Sequence, residues 1–133
     1  MAYGFNDDKS KFDLSALDNV IDYIVEQGTS GAWVYRKFAS GIFECWAVQT
    51  VNVPINTGGG GGYYHICPDF TFPVTFDYTP FCYCTIYSSQ QTTNAICTFK
   101  DETKTRATIY RPTANSASVQ YNIQWYIRGK VSS

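Results

Sequence analysis

Two short segments pair side chains that bind metals, His65-Ile66-Cys67 and Cys82-Tyr83-Cys84. In a strand, residues at i and i+2 share a face, so each segment sets both of its groups on one side. Together they hold enough ligands for a tetrahedral zinc site. Their spacing is not the Cys-x2-Cys turn of structural zinc, however. Strand thiols facing a core account for the same residues. No metal and no cofactor is assigned. The five cysteines, Cys45, Cys67, Cys82, Cys84 and Cys97, are odd in number and sit in no small disulfide scaffold. Free, mostly buried thiols are expected.

Hydrolytic chemistry finds little support. A serine or cysteine nucleophile needs a neighbouring base. The sole histidine, His65, follows a glycine run, and no nucleophile-elbow motif accompanies it. A glycosidase needs two carboxylates held across a cleft. Asp101 and Glu102 fall in an expected hairpin turn, Asp69 and Asp77 flank a strand, and Glu44 lies within one. Such acids are ordinary loop and surface groups. No catalytic residue is assigned, and the chain reads as a non-enzyme.

The elements around these residues belong to one domain of 133 residues. Charged residues make up 16% of the chain and aromatics 17%, where a charged share of about 25% is usual. A surface so poor in charge is expected to be covered in part by another chain. The net charge is −1 with Lys and Arg scattered, which leaves no footprint for nucleic acid. No run approaches the roughly 20 apolar residues of a membrane span, so no membrane insertion is expected. The start, MAYGFNDDKSKF, lacks the apolar run of a secretory signal. Synthesis in a cytoplasm is expected.

Leu14, Leu17, Ile21 and Ile24 follow a 3-4-3 spacing, a seam too short to hold chains together alone. A helical or extended lead-in to about Asp22 is expected, then a strand. From Ala32 onward the chain reads as all-β, a sandwich or barrel. The expected strands are Ala32–Phe38, Ile42–Val51, Tyr63–Ile66, Phe70–Phe76, Phe81–Tyr87, Ala95–Lys100, Arg106–Arg111 and Ser118–Arg128. Pro73 demotes its run to an edge or a bulge. Ala39-Ser40-Gly41 closes a hairpin. Trp33, Tyr35 and Lys37 share one face of that hairpin, with Val34, Arg36 and Phe38 on the other. On the return strand Ile42, Glu44 and Trp46 oppose Phe43, Cys45 and Ala47. Neither face is polar throughout, so the sheet is expected to be covered on both sides. One cover is the domain core, and the other is most simply a neighbouring subunit.

The run Gly58 to Gly62 reads as a flexible loop between strands, a tolerated insertion or an adaptable tip. Polar residues cluster at Ser88–Asn94 and Thr113–Ser118, as hairpin turns do. Taken together, these loops could form one end of a sandwich. Aromatic strands beside polar loops suit sugar binding.

The segment VEQGTSGAWVYRKFASGIFECW, Val25 to Trp46, resembles the opening of the C-terminal head domain of phage and prophage tail fibre proteins. Phe72-Pro73, Tyr78-Thr79-Pro80 and Ile127-Arg128-Gly129-Lys130 are similar to later segments of those heads. The resemblance spans about Tyr23 to Val131. It implies an antiparallel β-sandwich or knob, homotrimeric, carried in the virion at a tail tip. Its partners would be other phage tail proteins and a bacterial cell-surface glycan. Residues 1–22 would be a lead-in or short stalk and 23–133 the head. On this reading the receptor-binding residues are Gly60, Tyr63, Tyr64, Ser89, Gln90, Asn94 and Asn115. Leu17, Ile21, Ile24, Trp33, Tyr35, Phe43 and Trp46 serve core and subunit packing. The other reading is a structural tail protein that binds no receptor. The glycine run and the cysteines are not part of the family pattern.

Overall fold

A computed structural model describes residues 22–88 and 93–132. In chain order the strands are β1 (Ile24–Ser30), β2 (Trp33–Phe38), β3 (Ile42–Ile55), β4 (Thr57–Gly59), β5 (Gly62–Ile66), β6 (Phe70–Thr71), β7 (Phe81–Tyr87), β8 (Asn94–Lys100), β9 (Lys104–Arg111) and β10 (Asn115–Lys130). They form two antiparallel sheets, as the all-β sandwich pattern requires. The first has the order β1-β2-β3-β10-β7. In the second, β9 is central, with β5 and β6 along one edge and β8 along the other, and β4 outside β5. No helix among the described residues is long and apolar enough to cross a membrane.

The strands form because their residues are β-branched and aromatic and alternate in polarity. The period of two fixes which side chains meet between the sheets. On β10, Tyr121, Ile123, Trp125 and Ile127 all turn inward and are at most 2% exposed. Phe43, Cys45, Ala47, Val51 and Ile55 do the same on β3, and Ala107 and Ile109 on β9. Gln49 is buried among them but satisfied. Its Nε2 donates to the Pro68 carbonyl at 3.0 Å, and its Oε1 accepts the Trp125 indole proton at 3.2 Å.

Three expectations are corrected. Of Phe70–Phe76 only Phe70–Thr71 is a strand. Pro73 has no N–H for a ladder, and the segment instead folds inward to bury Phe72 and Phe76. The glycine run is not an irregular loop: Thr57–Gly59 pairs with Gly62–Tyr64 around Gly60 and Gly61, whose φ angles are 64° and 83°. Those values are the two left-handed positions of a tight I′ hairpin turn, which glycine adopts without strain. The long strands β3 and β10 also run further than expected, to Ile55 and from Asn115. The expected turn at Ala39-Ser40-Gly41 is present. Gly41 has φ 93°, and the Asp22 carboxylate accepts the Ser40 N–H at 3.0 Å. Leu14, Leu17 and Ile21 lie outside the described residues, and Ile24 opens β1.

Candidate functional site

Each side chain that suggested chemistry has a packing or pairing partner. All five thiols are free. Burial pushes Cys45 up to about 12 and Cys67, Cys82 and Cys84 up to about 11, which removes their nucleophilic thiolate form. His65 lies opposite Ile109 on β9, and burial lowers its pKa. Among the described residues no group of three or more His, Cys, Asp or Glu is placed to hold a metal ion. Asp69 holds Arg106 at 2.7 Å, Asp77 accepts the Ser132 N–H at 2.9 Å, and Glu102 accepts the Thr79 hydroxyl at 2.8 Å. Asp101 accepts the Thr103 N–H at 2.7 Å within its turn. Hydrogen bonds from the Thr103 backbone and side chain hold its pKa below the usual carboxylate value.

The outer face of the first sheet carries a row that crosses all five strands. Thr29 pairs with Val34, Val34 with Trp46, Trp46 with Tyr126, and Tyr126 with Tyr83. Val48, Phe81 and Tyr87 lie on the same side and are at least half exposed. Within this face the Arg36 guanidinium stands 5.0 Å from the Trp46 ring centroid, and its Nη2 is 2.8 Å from Glu44 Oε1. The Tyr126 hydroxyl donates to the other Glu44 oxygen. Glu44 is thus buried on an outward face, roofed by its own neighbours. An open trough of about 470 Å³ runs between Gln27, Thr29, Val34 and Trp46.

The outer face of the second sheet mixes hydroxyls with apolar side chains, and Ile66 and Ile96, which flank Thr108, are exposed on it. Tyr64 on β5 pairs with Tyr110 on β9, which pairs in turn with Asn94 on β8. The two tyrosine rings lie 6.5 Å apart, inclined at 40°. A bulge between Cys97 and Phe99 sets Thr98 beside Thr108, their hydroxyls 2.8 Å apart. The same bulge brings the Phe99 ring under Arg106, 4.9 Å from its guanidinium carbon. Tyr64, Ile66, Thr98, Arg106, Thr108 and Tyr110, with Gly59 and Gly60, surround a trough of about 450 Å³.

The residues singled out in the sequence divide accordingly. Gly60 and Tyr64 lie at the second trough, with Asn94 across from its Tyr110 wall. Tyr63, one residue before Tyr64, turns inward and packs against the core. Asn115 pairs with Ile55 and accepts the Ala117 N–H at 3.1 Å. Ser89 and Gln90 lie outside the described residues. Of the loop segments, the described residues Thr93, Thr113 and Gly62 meet at Arg111. Arg111 Nη1 donates to the Thr93 hydroxyl at 3.3 Å and Nε to the Thr113 carbonyl at 3.2 Å, and Gly62 lies against the Arg111 carbonyl. Trp33 and Phe43 are buried, Tyr35 stacks on Phe43 at 5.2 Å, and Trp46 faces outward. Sequence reasoning missed Thr98, Arg106, Thr108 and Tyr110. The alternation in Arg106-Ala107-Thr108-Ile109-Tyr110 was the available signal, since it places three polar or aromatic groups on one face.

Neither a protein-family model nor a curated protein matches the chain. Among solved structures, an N-truncated R1-type pyocin tail fibre superposes with a TM-score of 0.54 at 16% identity, over 90% of this chain and 98% of that one. A longer R1 pyocin fibre of P. aeruginosa gives 0.56 at 16% identity, over 91% of this chain and 32% of the fibre. The tailspike of Pseudomonas phage phi297 gives 0.47 at 16% identity, over 64% of this chain and 15% of the tailspike. At such identity the likeness to the two pyocin fibres is one of fold: the chain has the all-β fold found in pyocin tail fibre structures.

Proposed function

We propose that the chain is the receptor-reading head of a phage-type tail fibre. It acts as a non-catalytic homotrimer that attaches to a saccharide on the bacterial surface and joins other tail proteins in the virion. Residues 1–22 are its lead-in and 23–133 its head. The observation that carries this reading is the outward row of Thr29, Val34, Trp46, Tyr126 and Tyr83. A contiguous outward row of this kind, with Val34 and Tyr83 exposed and Trp46 and Tyr126 half-buried between them, marks an interaction surface, and further copies of the chain are its simplest cover. The shared fold with pyocin tail fibres supports the assignment to a fibre. Three copies would present three weak sites on one tip, so that attachment gains by avidity without new contacts.

Light scattering after size exclusion, followed by a pull-down on whole bacterial cells, tests the reading. A mass of three chains with saturable cell binding supports it. A monomer removes the assembly argument. A trimer that binds no cells of any strain tried favours a structural tail protein.

A further inference from the structure

The proposed function requires a saccharide site, and the outer face of the second sheet has the chemistry for one. Resting on that reading, we infer that the trough between Tyr64 and Tyr110 binds an uncharged saccharide chain. The shape comes from the glycine hairpin. A β-carbon on Gly59 would stand 2.9 Å from Tyr64 Cε1, so the missing side chain lets that ring come close to the hairpin backbone. Nothing lies within 4 Å of the β-carbon positions of Gly60 and Gly61. The rim therefore stays low, and an extended chain can pass over it.

Recognition comes from the rings and the floor. The C–H face of a pyranose packs on an aromatic plane, and the phenol at the ring edge remains free to bond a sugar hydroxyl. Tyr64 and Tyr110 offer two such planes 6.5 Å apart. Thr108 forms the floor and is 4% exposed, with its hydroxyl bonded to Thr98. Two hydroxyls joined by one bond keep one O–H and several lone pairs for a ligand. Asn94 adds an exposed carboxamide beside Tyr110.

The charge balance selects the class of sugar. Arg106 is the cation lining the trough, and its Nε is already held by Asp69 at 2.7 Å while its plane covers Phe99. A neutralised cation gives an acidic sugar no net attraction. The first sheet contrasts with this. Its outward row crosses five strands, with aromatic rings on three of them, and offers area for a protein rather than hydroxyls for a glycan.

The test is binding of the full chain to an array of neutral bacterial oligosaccharides and matched uronate-bearing ones. Binding to neutral members is expected, weakened about tenfold by Tyr64→Ala and by Tyr110→Ala, with solution mass and circular dichroism unchanged. If Tyr64→Ala misfolds, Tyr110→Ala carries the test, since its ring is already exposed. Neutral-glycan binding that both tyrosine variants retain would overturn this site and leave the receptor reading standing. Tyrosine-dependent binding confined to uronate-bearing members would overturn the uncharged class. Silence on the array from a chain that still binds cells would overturn the saccharide site, whereas a chain that binds neither would sink the receptor reading itself.

Discussion

A β-carbon on Gly129 would lie 2.6 Å from Phe76 Cδ1, and 2.9 Å from Pro80 Cβ. The glycine is there because the segment after β6 presses directly onto β10. Gly129→Ala is therefore expected to destabilise the fold by about 1–3 kcal/mol, the usual cost of overpacking. Urea denaturation checks this, and a variant as stable as the parent would show that the segment can move aside.

Tyr121 is fully buried, and its hydroxyl has no hydrogen-bond partner among the described residues. A buried donor left unmade costs about 1–3 kcal/mol. Tyr121→Phe removes that cost at nearly constant shape. The variant should be at least as stable as the parent in thermal melts, and a clear loss would mean the hydroxyl is bonded in solution.

Trp33 and Trp46 should respond differently to truncation. Trp33 is buried and donates its indole proton to the Thr71 carbonyl at 2.8 Å. Trp33→Ala should cost about 3–5 kcal/mol of folding stability. Trp46 stands outside the core, where its Arg36 contact is worth about 0.5–1 kcal/mol. If the proposed trimer packs on this face, Trp46→Ala should fold and lower the solution mass from three chains to one. Retention of the parent mass would place the assembly surface elsewhere.

The glycine hairpin predicts a sharp residue preference. Val at position 60 would be forced into the left-handed region, at a cost of about 1–2 kcal/mol. Asn tolerates that conformation. Gly60→Asn should therefore melt close to the parent and Gly60→Val below it, and equal melting would mean that the turn relaxes.

Acid should weaken the fold in two stages. Burial lowers the pKa of His65 from 6.5, so the unfolded chain takes its proton first. That contribution is lost as pH falls below about 6.5. The pKa values of Asp69 and Asp101 are lowered from 3.8 by hydrogen bonds from Arg106 and Thr103. Their contribution is present above that value and lost as pH falls through their folded values. Calorimetry from neutral to acid pH should show both declines, the first absent in His65→Gln. A midpoint that stays level down to about pH 5 would contradict the first stage.

Much of the fold was legible because period-two alternation is a local signal. Phe81–Tyr87 was placed to the residue, and the Gly41 turn was readable from its glycine. The inward run Tyr121, Ile123, Trp125 and Ile127 follows from the same alternation. The glycine run misled because five glycines specify nothing by themselves; Tyr64 and the backbone of Arg111 fix their conformation from across the sheet. The second trough was only half visible for the same reason. Gly60, Tyr64 and Asn94 are named by type, but their meeting with Tyr110 depends on which strands are neighbours. Even within one hairpin, the register that sets Thr98 beside Thr108 comes from a bulge that no residue type announces.

The ladder between β3 and β10 runs without a break from Val53 opposite Val119 to Ile42 opposite Lys130. Its hydrogen bonds lie across the strands, so a pull along the strand axis strains them together rather than one after another. Residues 112–114 lie beyond one end of this ladder and the Ala39-Ser40-Gly41 turn beyond the other. A tip anchored at one end and gripped at the other would carry its tension as shear through the central pair of strands, the arrangement in which a sheet yields last.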